Sequence, residues 1–184
     1  MKWCAVLGAI MLLTTDAMAA REAPPADRYR QLAEATPLPL ALDPDFQFRK
    51  TKTFFIGDAP GPRRGEMFTR GPVRTPAIGA EVAYRLFGAV TELDKRQRFG
   101  HYFDFFWRAK RPATVTVRLE YRQQNLRAFT QAREVVYPSA KGSHKTSFAV
   151  IGDDYFADGR ILAWRCLLIE NGKIVAEDKS YLWR

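Results

Sequence analysis

Hydrophobic and polar residues alternate through most of the chain with a period of two. Residues 114–121 show it most plainly. Val115, Val117, Leu119 and Tyr121 fall on one side, Thr114, Thr116, Arg118 and Glu120 on the other. A strand with one buried and one wet face requires this pattern. The same period links Phe46 with Phe48 and Phe54 with Ile56, and it groups Val82, Tyr84 and Leu86 within residues 81–90. In residues 101–107, His101, Phe103, Phe105 and Trp107 alternate with Tyr102, Asp104 and Phe106. Residues 134–137, 146–151, 160–169 and 174–183 complete a set of about eight expected strands.

Turn chemistry separates these runs. Lys110-Arg111-Pro112 precedes one strand, residues 138–142 another, and Ala157-Asp158-Gly159 a third. Asn171-Gly172, flanked by apolar runs, is the strongest local signal, because both residue types tolerate the positive φ of a type I′ hairpin turn. A two-residue turn pairs Glu170 with Lys173, Ile169 with Ile174, Leu167 with Ala176 and Arg165 with Asp178. Leu162, Trp164, Cys166 and Leu168 then form the inward side, but Glu177 and Lys179 fall on that side too, so a bulge or an edge position is needed.

Short antiparallel strands at this spacing, with no long amphipathic helix between them, predict an all-β domain over residues 46–184. In strand count and turn spacing that region resembles an immunoglobulin-like or fibronectin-like two-sheet β-sandwich, without the paired Cys…Trp…Cys signature of antibody domains. A closed barrel around a small ligand is the second choice.

Residues 20–45 hold Pro24, Pro25, Pro37, Pro39 and Pro44 and read as a Pro-rich tether. A short helix fits between Asp27 and Ala35, because Asp27 can cap it and Pro37 stops it. Residues 1–19 read as a signal peptide: Lys2, an apolar run over residues 5–13, and Ala17-Met18-Ala19 as a small-residue cleavage motif. The expectation is an exported protein, periplasmic or extracellular. The alternative is anchoring by an uncleaved signal, although nine apolar residues fall short of the roughly 20 that cross a bilayer. Cys4 precedes the apolar run, which does not suit lipoprotein processing.

Export changes how the charge is read. The chain carries +9 and its first 45 residues −2, which leaves +11 on residues 46–184. Such a domain attracts anionic surfaces. Outside the cytoplasm these are an anionic envelope polymer, lipid headgroups or an acidic protein partner, and nucleic acid is disfavoured. The expected contact lies in residues 58–79, a Pro-rich stretch with Arg63, Arg64, Arg70 and Arg74, whose planar forks suit phosphate and carboxylate. Met67-Phe68 fits a brief strand within it.

Catalytic chemistry finds little purchase. Asp43/Asp45 and Asp153/Asp154/Asp158 are carboxylate groupings without a sign of separated pKa values. His101 and His144 have no ligand-spaced partner. Cys166, alone once the signal leaves, reads as a buried small hydrophobe. No cofactor or metal is expected. These features point to a non-enzymatic binding or accessory module with a basic surface. A small-ligand carrier or a hydrolase on the same scaffold is the alternative.

Overall fold

The alternating residues form long strands. A computed structural model describes residues 29–57 and 76–184. Its elements are β1 (Arg30–Leu32), β2 (Phe46–Ile56), α1 (Pro76–Arg85), α2 (Glu92–Gln97), β3 (Gly100–Gln123), β4 (Thr130–Ile151), α3 (Asp153–Asp158), β5 (Ile161–Glu170) and β6 (Lys173–Lys179). The protein is mostly β, and its strands are antiparallel. The expected signal peptide over residues 1–19, the brief strand expected at Met67-Phe68 and the expected contacts Arg63, Arg64, Arg70 and Arg74 lie outside the described residues.

The six strands hydrogen-bond into one sheet of order β1-β4-β3-β5-β6, with β2 also on β3. The expected pair of separate sheets is therefore replaced by one sheet bent over on itself. One edge of β3 is shared, with β2 on its residues 100–109 and β5 on its residues 116–123. Between them the ladder is irregular from Ala109 to Val115. There β3 and β4 fold, so residues distant along a single strand meet. Arg133 of β4 donates to the carbonyl of Ala149 in the same strand, and Phe103 lies 5.7 Å from Trp164, whose ladder partner is Tyr121.

The core lies between the two halves. Phe103, Phe105, Trp107, Phe148 and Val150 project from one, and Val117, Leu119, Tyr121, Cys166 and Leu168 from the other. The inward side expected for β5 is met at Trp164, Cys166 and Leu168, whereas Leu162 is exposed. Thr51 of β2 donates to Asp178 of β6, so side chains hold the seam where no ladder runs.

Several expected elements differ. Residues 81–90 were expected as a strand, but α1 ends at Arg85. Val82 and Leu86 are two alternate positions apart and also one helical turn apart, and both pack on Ile56, Tyr102 and Ala149. Tyr84, which a strand would place beside them, is exposed. The breaks expected at residues 110–112 and 138–142 are places where β3 and β4 bend without ending. The helix expected between Asp27 and Ala35 is, over the described residues, strand β1, with Arg30 opposite Glu134.

The described part of the expected tether is fastened to the sheet. Ala41 and Asp43 donate backbone N–H groups to the carbonyls of Ile174 and Val175 at 2.8 and 3.0 Å. Beside it, on the outer side of the sheet, lies a covered charge network. Arg118 Nε donates to Glu134 at 2.6 Å, Arg165 Nε donates to Glu120 at 2.7 Å, and Arg118 lies 3.6 Å from Glu120. The Thr36 carbonyl accepts from Arg118 at 3.1 Å, and Trp183 stacks over Arg165 and Arg122.

The hairpin confirms its turn and corrects its register. Asn171 and Gly172 have φ of 50° and 72°, and Glu170–Lys173 and Ile169–Ile174 pair as expected. A shift between Leu168 and Ile169 then sets Leu168 opposite Ala176 and Arg165 opposite Lys179, not Asp178. The bulge removes the conflict at Glu177, which moves to the side of Leu167. Gly100 opens β3 at φ 143°, where a Cβ would overlap the carbonyl oxygen of Val150.

Candidate basic interface

The polar-side residues of β2, β3 and β4 form a grid on the outer face of one half of the sheet. Across the three strands the rows are Gln47–Arg108–Ser143, Lys50–Phe106–Lys145, Lys52–Asp104–Ser147 and Phe54–Tyr102–Ala149. A register shift between Phe48 and Lys50 puts Arg49 in a bulge and brings Lys50 and Lys52 onto this face together.

Asp104 is the buried acid of the grid, and its capacity is taken up. Its Oδ2 lies 3.2 Å from Arg85 of α1 and 3.1 Å from Lys145, while Ser147 Oγ donates to Oδ1 at 2.7 Å. Lys52 and Lys145 stand 5.7 Å from the centroid of the Phe106 ring, whose quadrupole favours cations. Among the described residues, no carboxylate lies within ion-pairing distance of Lys50, Lys52 or Arg108, and all three are exposed. The face can offer these cations to an anion.

The aromatic run of residues 101–107 divides accordingly. Phe103, Phe105 and Trp107 enter the core, Tyr102 receives α1, and Phe106 lies among the lysines.

The other candidate groups serve the fold. Asp43 and Asp45 flank Arg111, which also makes a forked pair with Glu170, both bonds being 2.6 Å. The backbone N–H of Asp45 and then the Arg111 guanidinium hold the Asp43 carboxyl below its ordinary range. Asp154 pairs with Arg133, and Asp158 accepts from Gln131 at 3.0 Å. His144 stacks 4.6 Å from Trp107. Burial, with Asp178 and Glu120 nearby, pushes the Cys166 thiol well up. Among the described residues no three His, Cys, Asp or Glu side chains converge as metal ligands, and no helix is long and apolar enough to cross a membrane.

His101 sits in an apolar pocket, against Phe55, Phe103 and Tyr155. Burial, helped by Arg160, lowers its pKa to about 4. Its Nε2 accepts the backbone N–H of Ile161 at 3.3 Å, which a protonated ring could not do. A histidine with a depressed folded-state pKa binds its proton more readily when unfolded. Stability is therefore complete above about pH 6.5 and lost as pH falls toward 4. Denaturant unfolding at pH 7 and pH 4 should differ by roughly 2–3 kcal/mol from this group, and His101→Leu should narrow the difference. An equal pH response in the variant would assign the acid sensitivity elsewhere.

Sequence reasoning found the basic excess but missed the grid, since its cations come from three strands whose register is not written in any one of them. Only Lys50 and Lys52, alternating before Phe54, were a local signal. No family model, curated protein or solved structure matches this chain.

Proposed function

We propose that this protein is an exported, non-enzymatic binding or accessory module that meets an anionic partner through a basic surface. The observation that carries this reading is the set of outward cations Lys50, Lys52 and Arg108, paired with no carboxylate among the described residues, beside a saturated Asp104. Export is inferred from residues 1–19. The anionic partners expected outside a cytoplasm are envelope polymers, lipid headgroups and acidic proteins. Arg63, Arg64, Arg70 and Arg74 belong to the same proposal as further contacts. Two β layers around one core support a sandwich-like reading of the scaffold, an architecture that hosts many binding functions.

Screening by salt gives the test. The full chain should bind an anionic polysaccharide resin and phosphatidylglycerol vesicles at low ionic strength. Affinity should fall steeply between about 50 and 300 mM salt, as the Debye length shrinks below about 10 Å. Salt-insensitive binding, or none to any anionic surface, would remove the basic surface from the function.

A further inference from the structure

The outer face of the β2–β3–β4 half continues past its lysines. Its last row, Phe54–Tyr102–Ala149, lies under α1, with Val82 of the helix and Leu86 just after it packed on that row. The other side of α1 faces away from the sheet and carries Tyr84, 73 % exposed. The following turn adds Phe87 and Val90, each 83 % exposed, and α2 adds Leu93 at 65 %.

This turn is held in shape. Arg98 donates to the carbonyls of Arg85, at 3.2 Å, and Phe87. Thr91 and Asp94 form a reciprocal capping box at the start of α2. Scattered exposed apolar residues are ordinary, but four large ones within residues 84–93, beside cations that no described carboxylate pairs, mark an interaction surface. Arg85 and Lys145 reach the same oxygen of Asp104, so the helix and the cationic rows adjoin.

We propose that this composite surface docks on an anionic lipid bilayer, with Lys50, Lys52 and Arg108 at the headgroups and Phe87 and Val90 entering the acyl boundary. The proposal rests on the basic-surface reading above and adds the partner and the apolar half of the contact. Both chemistries together select the occupant. A soluble polyanion engages only the cations, whereas a bilayer offers phosphate at one depth and hydrocarbon just beneath it. A helix is about 10–12 Å across, so the outward side of α1 reaches further from the sheet than the lysine backbones do. That order matches headgroup and acyl depths, since long lysine side chains extend to the headgroups.

The test is vesicle co-sedimentation of the full chain, with phosphatidylcholine alone or mixed with phosphatidylglycerol. The apolar run of residues 5–13 is common to all variants and sets an equal background. The anionic mixture should bind at least about tenfold more tightly. Lys50→Gln with Lys52→Gln should cost about thirtyfold of that affinity, at roughly tenfold per 1.4 kcal/mol and about 1 kcal/mol per cation. Phe87→Ser with Val90→Ser should weaken vesicle binding severalfold yet leave binding to soluble dextran sulfate unchanged. All these sites are exposed, so unchanged thermal unfolding should verify the fold.

Anionic vesicle binding that ignores both double variants would overturn the proposed face while sparing the general reading. Vesicle binding lost only in the lysine variant would make the contact purely electrostatic and overturn the insertion of Phe87 and Val90. Absence of binding to any anionic surface would overturn both.

Discussion

Phe105→Ala is expected to remove about 3–5 kcal/mol of stability, the range for deleting a large buried ring that its neighbours cannot refill. Phe105 is fully buried and touches Phe48, Phe103, Phe148 and Trp164, with ring centroids 5.5–6.1 Å apart. These contacts come from β2, β3, β4 and β5, so both halves of the sheet lose a partner at once. Urea unfolding should show a lower midpoint with little change in slope. Phe105→Leu, which keeps most of the volume, should recover a large part of the loss. A cost below about 1 kcal/mol would mean that the interior collapses around the gap.

Glu120→Ala should be comparably damaging, by about 3–5 kcal/mol, for an electrostatic reason. Glu120 is almost wholly buried between Arg165, 2.7 Å away, and Arg118, 3.6 Å away. Its removal leaves Arg118 with Glu134 alone and Arg165 with the longer contact to Glu177 at 3.7 Å, under the cover of Trp183 and the Thr36 carbonyl. Glu120→Gln keeps the shape but loses the charge and turns an amide donor toward the guanidiniums, so its cost should approach that of Ala. Similar losses for Ala and Gln would place the effect in charge pairing, whereas a mild Gln variant would place it in hydrogen bonding. Calorimetric or denaturant unfolding of the two variants separates these cases.

The β pattern was legible where one face is buried and the other is polar. Residues 114–121 and the Asn171-Gly172 turn announce themselves because alternation and positive φ are local properties. The Glu177 and Lys179 conflict in the hairpin was legible as well, and it marked a real bulge. Misreadings arose where one pattern serves two periods. Val82 and Leu86 fit a strand and a helix equally, and Pro76 at the first helical position was the available counter-signal. The Thr91-x-x-Asp94 spacing was likewise an unread signal for α2, which opens on a capping box there.

Pro112 and Pro138 read as stops, yet each sits where β3 or β4 bends through a register irregularity, a place where a sheet tolerates proline. The candidate interface was hidden for a different reason. Lys50, Arg108 and Lys145 are 37 or more positions apart along the chain, and only the ladders bring them to one face.

The passage of β3 and β4 through both halves bears on how the molecule opens. In a sandwich of two sheets, one sheet can loosen while the other keeps its ladder. Here both halves are built on the same two strands, whose register runs from Gly100↔Ile151 to Arg122↔Thr130, so neither half has a ladder of its own to keep. Amide protons along that ladder should therefore exchange through one global opening, with near-equal protection at Val117 and Phe148. Such a ladder also pairs residues up to 51 positions apart, so refolding should belong to the slow, millisecond-to-second regime of proteins dominated by distant contacts.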